Sequence, residues 1–377
     1  MCEPSTIDNT DAETPDPPTP IRSHNEGELL PEEHFWRDHY QWLEECGYRL
    51  RPRYKPGWIP SWKSSHKEYW RCEDGHAIMV PHILDATRVS SGEMVVLKRI
   101  LISEHPHEIE INQYFSAEPL ASDPRNHCAP LYEVLQVTDQ EGMMILVTPL
   151  LRRYDSPLLD TVGEAVEFFR QIFEGLQFMH QHHVAHRDCM NQNIMMDPHP
   201  LFPDMYHPRV IDWSRDLDHP ARHYSRTARP TRYYFIDFGL SRKYRPDDGP
   251  PREPPIHGGD KSVPEFKESN EPCDPFPTDV YYIGNMIRED FLQRSHGVEV
   301  MQALVDEMVQ DDPVKRPNMD EVVARFDAIR TSLSSSKLRS RLVYRDESKV
   351  KRVFKGVKHA LGTVGSIASP RSPVHTP

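Results

Sequence analysis

The chain has 377 residues, a formal net charge of -13 and 36 prolines, a length that buries a substantial core as one large or two smaller domains. The acidic balance argues against nucleic acid as a partner, and the six scattered cysteines form no C-x-x-C pair, which sets aside a zinc site and points to a reducing compartment. The first thirty residues lack an apolar core flanked by basic residues, and no stretch approaches the ~20 apolar residues of a membrane-spanning helix, so an intracellular, cytoplasmic or nuclear protein is expected.

Residues 1–30 are rich in Pro, Thr and acids and poor in large apolar groups, the composition of a disordered tail. Residues 31–74 differ sharply. Trp36, Trp42, Trp58, Trp62 and Trp70 are five of the six tryptophans, and that density favours an extension buried by packing over an exposed ligand- or peptide-binding surface. Residues 71–102 read as strands: short apolar runs at Ala77–Val80 and His82–Leu84, a turn at Ser90-Ser91-Gly92, and a second run from Met94 to Ile100 that carries Lys98. His107–Phe115 is compatible with a helix bearing Glu108 and Glu110. Leu131–Val137 and Gly142–Val147 read as two further strands, followed by Thr148-Pro149-Leu150-Leu151.

Thr161 and Glu164 have the three-residue spacing of a capping box. Val166, Phe169, Ile172, Phe173, Leu176 and Met179 then recur at helical spacing, which predicts a helix with one buried face ending near His182. It leads into His186-Arg187-Asp188-Cys189-Met190-Asn191-Gln192-Asn193. Between Asn193 and Asp237 lie 43 residues. Ile194–Asp197 and Arg232–Ile236 make a hairpin around an insertion, 198–231, which is read as a surface loop or as a docking or regulatory element. Arg242–Val263 is rich in Pro and Gly, and Val300–Met308 and Val322–Ile329 read as amphipathic helices. The tail, 331–377, is basic and Ser-rich, with ten Lys or Arg against two Asp or Glu from residue 334 on. Val350, Val353, Phe354, Val357, Leu361 and Val364 recur near helical spacing there. A solvated tail competes with a basic amphipathic helix that touches an anionic membrane or a partner protein. Ser369-Pro370 and Ser372-Pro373 are weak candidates for proline-directed phosphorylation.

The stretch at 186–193 resembles the catalytic loop H-R-D-x-x-x-x-N of the eukaryotic protein kinases. Asp237-Phe238-Gly239 resembles their D-F-G, and Val95-Val96-Leu97-Lys98 the strand carrying their ATP-binding lysine. Val263-Pro264-Glu265 resembles the A-P-E close of the activation segment, and Asp279–Gly284 the start of their large central helix. Asp312–Pro317 resembles the loop whose arginine, here Arg316, pairs with that glutamate. The chain is similar to a divergent, kinase-like group of fungi.

The resemblance implies an α+β, two-lobed protein-kinase fold over 75–330, with a β-rich N-lobe at 75–148, a hinge at 149–152 and a larger, mainly helical C-lobe at 153–330. It implies that Lys98 contacts ATP phosphates and that Glu108 or Glu110 positions the lysine, the local pattern favouring Glu108. Asp188 would be the catalytic base, Asn193 and Asp237 would ligate Mg2+, and Arg187 would meet the activation segment, through a phosphorylated residue in one version. Thr148 would line the adenine pocket, with the Pro149 carbonyl and the Leu151 N–H at the adenine edge. The implied function is transfer of the γ-phosphoryl group of ATP to a protein hydroxyl, Ser/Thr favoured over Tyr, with a pseudokinase scaffold as the alternative. Three departures bear on this choice. Gly75 is the only glycine of residues 71–91, where a G-x-G-x-x-G loop is expected. Met190 stands where serine/threonine kinases carry lysine, and Gly258-Gly259 where they present threonine.

Overall fold

The computed structural model describes residues 27–256, 259–268, 270–350, 352–353 and 356. The N-terminal tail up to residue 26, most of the valine-spaced segment after 350 and both Ser-Pro dipeptides lie outside them. The chain forms two compact units. One gathers the described residues up to Glu104, Pro130–Leu151 and Pro198–Tyr224; the other holds His105–Ala129, Arg152–Asp197 and the described residues from Ser225 on. The first is built on a β-sheet and the second is mainly helical, which is the α+β division of the kinase fold.

The first unit begins with α1 (His34–Asp38) and α2 (Tyr40–Glu45), then β1 (Tyr48–Leu50) and a short α3 (Trp62–Ser65). Strands β2 (Ile83–Arg88), β3 (Met94–Leu101), β4 (Glu133–Gln136) and β5 (Met143–Pro149) join β1 in an antiparallel sheet of order β1-β2-β3-β5-β4. Val95 and Leu97 of β3 and Ile145 and Val147 of β5 alternate inward and are fully buried, the period-2 pattern of a sheet covered on one face. Trp36, Leu43 and Tyr54 belong to the same core. Lys98 lies opposite Ile83 on one side and Leu146 on the other. The expected strand at Ala77–Val80 does not form: Pro81 lacks an N–H for a ladder, and Met79 and Val80 face outward, Met79 at 70% exposure. Thr148 and Pro149 are the last residues of β5, opposite Val96 and Val95.

Only Trp36 of the five clustered tryptophans is fully buried. Trp58 and Trp62 are half-buried and meet edge to face at 5.7 Å, a geometry that aligns ring edge with ring face. Charge holds the extension together. Arg53 donates to both oxygens of the fully buried Glu33 carboxylate at 2.8 and 2.7 Å, and the Tyr54 hydroxyl donates at 2.9 Å. Burial alone would raise the Glu33 carboxyl, but Arg53 and its other donors hold it below the usual range. Asp74 accepts from the Trp58 indole, the Ser61 amide and the Ser61 hydroxyl at 2.6–2.9 Å. Gly75 belongs to this network rather than to a phosphate loop, because a Cβ there would sit 1.9 Å from the Tyr69 carbonyl oxygen.

Residues 198–224 are a packed part of this unit and not a solvated loop. Leu201, Phe202 and His207 are buried. His207 meets the His76 ring at 5.1 Å, Arg209 Nε donates to the Ala77 carbonyl at 2.6 Å, and Asp218 pairs with Lys67 at 3.5 Å.

The second unit contains α4 (Glu108–Ser116), β6 (Arg152–Arg153), α5 (Val162–Gln181), β7 (Val184–Ala185), β8 (Ile194–Met196), β9 (Tyr233–Phe235) and β10 (Arg242–Lys243). Then come α6 (Pro264–Glu268), α7 (Pro275–Ile287), α8 (Gln302–Met308), α9 (Met319–Ser332) and α10 (Ser335–Arg339), with β11 (Ser295–His296) pairing β12 (Val343–Tyr344). The start of the basic tail is folded: Leu342 is buried, Val162 N donates to Ser340 O at 3.0 Å, and Leu342 N to Asp160 O at 2.9 Å. Among the described residues no helix is long and apolar enough to cross a membrane.

Removing one partner of a buried ion pair strands the other. Glu33→Ala is expected to lower unfolding free energy by about 3–5 kcal/mol, measured by urea denaturation, whereas Arg37→Ala, in an exposed pair with Asp38, should change it by less than about 1 kcal/mol.

Candidate functional site

The predicted site residues divide between the units. Lys98, Thr148, Pro149 and Leu151 lie in the first; Glu108, Arg187, Asp188, Asn193 and Asp237 lie in the second. Lys98 is half-buried on β3. The Leu150 amide is spent on Met94 O at 3.2 Å, which leaves Leu151 with the next amide in the chain.

In the second unit, α5 delivers the chain to the loop at 186–193. The Thr161 hydroxyl accepts the Glu164 amide at 3.1 Å, so the helix starts where its spacing predicts. Glu164 reaches back to the Asp160 amide at 2.7 Å, one residue beyond a standard capping box, and its other oxygen takes the Thr227 amide and hydroxyl. Phe169, Ile172, Phe173, Leu176 and Met179 form the buried face.

The loop itself is anchored by α7. Asp279 is fully buried. Its carboxylate accepts the His186 amide and the Arg187 amide, each at 2.7 Å, and meets His180 Nε2 at 3.1 Å. Arg187 is thereby held at φ 68°, a left-handed conformation that a side chain seldom adopts unaided. Burial holds the His186 imidazole below its ordinary pKa despite nearby Asp279 and Asp237. It is neutral, with Nδ1 accepting the Asp188 amide at 3.2 Å and Nε2 donating to Ile236 O at 3.1 Å.

Asn193 Nδ2 donates to both the backbone oxygen and Oδ2 of Asp188, each at 2.8 Å. These two donations fix the carboxamide and turn its oxygen end away from Asp188. Pairing of β8 with β9 sets Ile194 opposite Phe235, and Ile236 N donates to Asn193 O at 3.0 Å, so the ladder carries the chain directly to Asp237. That residue is left-handed at φ 64°, exposed, and accepts the Gly239 amide at 3.4 Å. Phe238 is buried with its ring 5.3 Å from His186 and 6.3 Å from Phe115 of α4.

Asp188 is pushed up to about 6, chiefly by burial, with Asn193 opposing and the charges of Asp237 and Asp279 adding to the rise. Its Oδ1 is buried and has no hydrogen-bond partner among the described residues. Gly259 explains the cover: at φ +69°, a Cβ there would lie 2.4 Å from Asp188 Oδ1. Only glycine brings backbone this close. Glu108 opens α4 and is 1% exposed, whereas Glu110 faces solvent, so burial separates the two candidates. A side chain added at Gly239 would meet Glu108 Oε2 at 3.2 Å.

The 242–268 segment is fixed at both ends. Arg316 donates to both Glu265 oxygens at 2.8 and 2.6 Å, with the Thr278 hydroxyl adding a bond at 2.8 Å. Burial would raise Glu265, and Arg316 holds it below the usual carboxylate range. Arg187 donates to Leu240 O at 3.1 Å and Pro254 O at 3.0 Å and pairs with Glu253 at 3.2 Å. Sequence reasoning missed Glu253, which sits among prolines with no periodicity to mark it. Gly259 was visible only as a departure from pattern.

No family model matches the chain. Over 111 residues it is 29% identical to the serine/threonine-protein kinase CAK1 of Saccharomyces cerevisiae, covering 29% of this chain and 28% of that protein. Over 123 residues it is 28% identical to the carbon catabolite-derepressing protein kinase of Candida glabrata, covering 30% of this chain and 19% of that one. The matched stretch thus spans less than a third of either relative. With the α+β fold and the loop geometry above, these similarities make the chain a distant relative of the protein kinases.

Proposed function

We propose that the chain is an ATP-dependent protein kinase that transfers the γ-phosphoryl group to a protein hydroxyl, serine or threonine before tyrosine. The observation that carries this reading is the Asp188–Asn193 pair, held beside Asp237. Asp188 accepts the proton of the attacking hydroxyl as its oxygen takes the phosphoryl group. A carboxyl poised near 6 is ionised at neutral pH and still basic enough to take that proton.

The donor set suits a hard divalent cation. Asn193 presents its oxygen end away from Asp188, Asp237 is exposed, and the charge of Asp237, which adds to the rise that burial causes at Asp188, is the kind a cation offsets. Asn193 and Asp237 would hold Mg2+, which when bound neutralises charge developing on the transferred group. By the sequence pattern, Lys98 meets the ATP phosphates, Glu108 orients it, and Thr148, the Pro149 carbonyl and the Leu151 amide receive adenine.

A binding scaffold is the second reading. The approach of Gly259 to Asp188 favours it, because a substrate hydroxyl needs the position that this backbone covers. Under the kinase reading the Gly259 backbone withdraws when substrate arrives.

Purified protein with Mg2+ and radiolabelled ATP decides between them. The wild type is expected to incorporate phosphate on serine or threonine, and Asp188→Asn and Asp237→Asn to reduce incorporation by about a hundredfold or more. ATP binding without transfer supports the scaffold, and a folded protein that neither binds nor transfers overturns the kinase reading. The pH profile is a further check. Because Asp188 must be ionised, kcat should fall at acid pH and stay level above about 6, with the midpoint below that value because a bound cation beside Asp188 favours its ionised form. The same raised carboxyl makes folding stability decline as pH rises from about 4 towards about 6, and Asp188→Asn should flatten that part of the melting-temperature profile.

A further inference from the structure

The Arg187 side chain is only 7% exposed, and a guanidinium so enclosed requires a counter-charge. Two backbone carbonyls accept from it, but the only carboxylate paired with it among the described residues is Glu253. That carboxylate, 19% exposed, is held from several directions. Its Oε2 lies 3.2 Å from Arg187 and 3.9 Å from Arg242 Nε. Its Oε1 accepts the Tyr244 hydroxyl at 3.1 Å. Its backbone is pinned to Cys273 by reciprocal hydrogen bonds of 2.8 and 3.0 Å. Two cations and a phenol converge on one anion, an arrangement that would equally satisfy a phosphate.

Among the described residues of this segment no hydroxyl is free of other partners to carry a phosphate there. Between Asp237 and Glu265 the hydroxyl residues are Ser241, Tyr244 and Ser262, and each is engaged. Ser241 is fully buried and donates to His186 O at 2.9 Å. Tyr244 serves Glu253, so a phosphate on it would bring like charges together. Ser262 is bonded to Tyr281 and Asn285 at 3.0 and 3.1 Å.

We propose that Glu253 is a positioning residue whose built-in carboxylate holds Arg187, and through it the 186–188 backbone, so that ordering of the 242–256 segment needs no phosphorylation. The consequence for catalysis rests on the kinase reading above; the ordering of the segment does not. Glu253 acts on Asp188 at one remove. Arg187 precedes the base directly, and a guanidinium without its counter-charge would pull on the left-handed peptide that aims the base.

The test uses the full chain. Wild-type protein treated with a non-specific protein phosphatase, its phosphate-free state checked by mass spectrometry, should keep its kcat. Glu253→Gln should lower kcat about ten- to hundredfold with little change in KM for ATP, and Glu253→Asp should restore most of it. Hydrogen exchange of residues 184–188 and 242–256 should rise in Glu253→Gln, stay near wild type in Glu253→Asp, and be unchanged by phosphatase. Wild-type kcat in Glu253→Gln, or loss of activity on phosphatase treatment, overturns the proposal. If the wild type transfers no phosphate, the kinase reading fails, and exchange alone decides: unchanged exchange in Glu253→Gln refutes the pairing role, and a rise confined to those segments supports it.

Discussion

A single buried carboxylate, Asp279, sets the geometry on which the candidate site depends. It lies on a helix whose residues are buried along almost its whole length, so it cannot shift without unpacking the core. The two amides it accepts belong to consecutive residues, His186 bonding Oδ2 and Arg187 Oδ1, and consecutive amides face the same carboxylate only when the backbone turns sharply. That requirement fixes Arg187 in the left-handed region, at a cost of order 1–3 kcal/mol that the charge-assisted bonds offset. His186 is then directed inward onto Ile236 O, Arg187 towards the 240–254 carbonyls, and Asp188 towards Asn193. The orientation of the three residues follows from one anchor.

Buried ion pairs elsewhere follow a common rule. Glu33 with Arg53, Glu265 with Arg316 and Glu347 with Arg341 are all bidentate. Removing charge from water is expensive, so such pairs add less net stability than their short contacts suggest. Their effect is registry, because the fork of a guanidinium accepts a carboxylate in few orientations. The pairs lie in the tryptophan-rich extension, between the start of α6 and the loop at Arg316, and in the start of the basic tail. In the extension the charged fork adds a fixed orientation to a segment that also packs into the core.

That contrast explains what the sequence could disclose. α5 was legible because its cap and apolar face are local, and β3 because its alternation is local. Asp188, Asn193 and Asp237 stood out through their resemblance to the catalytic-loop and D-F-G motifs of the protein kinases, and the structure brings the first two within 2.8 Å. Periodicity alone misled at Ala77–Val80, where Pro81 and an outward-facing Met79 defeat a strand, and composition misled at the start of the tail, where Leu342 and Tyr344 are buried in a Lys/Arg-rich stretch. In the insertion, Leu201, Phe202 and His207 are too few and too irregular to announce burial, and of these His207 meets a ring far away in sequence, that of His76. Glu253 and Gly259 were illegible for a deeper reason. Each matters through one contact with a residue over sixty positions away, and nothing local records it.

The two residues also constrain one another. Glu253 ties the segment to Arg187, and Gly259 lies against Asp188, the very next residue in the loop. Only five residues separate them, a span of at most about 20 Å when extended. Gly259 therefore has to bring backbone against Asp188 while Glu253 holds Arg187 earlier in the same segment. Glycine suits that task twice over: it allows the close approach in the covered state, and it reaches other backbone conformations without a steric barrier. The anchor of Arg187 and the cover over Asp188 thus occupy separate parts of one segment.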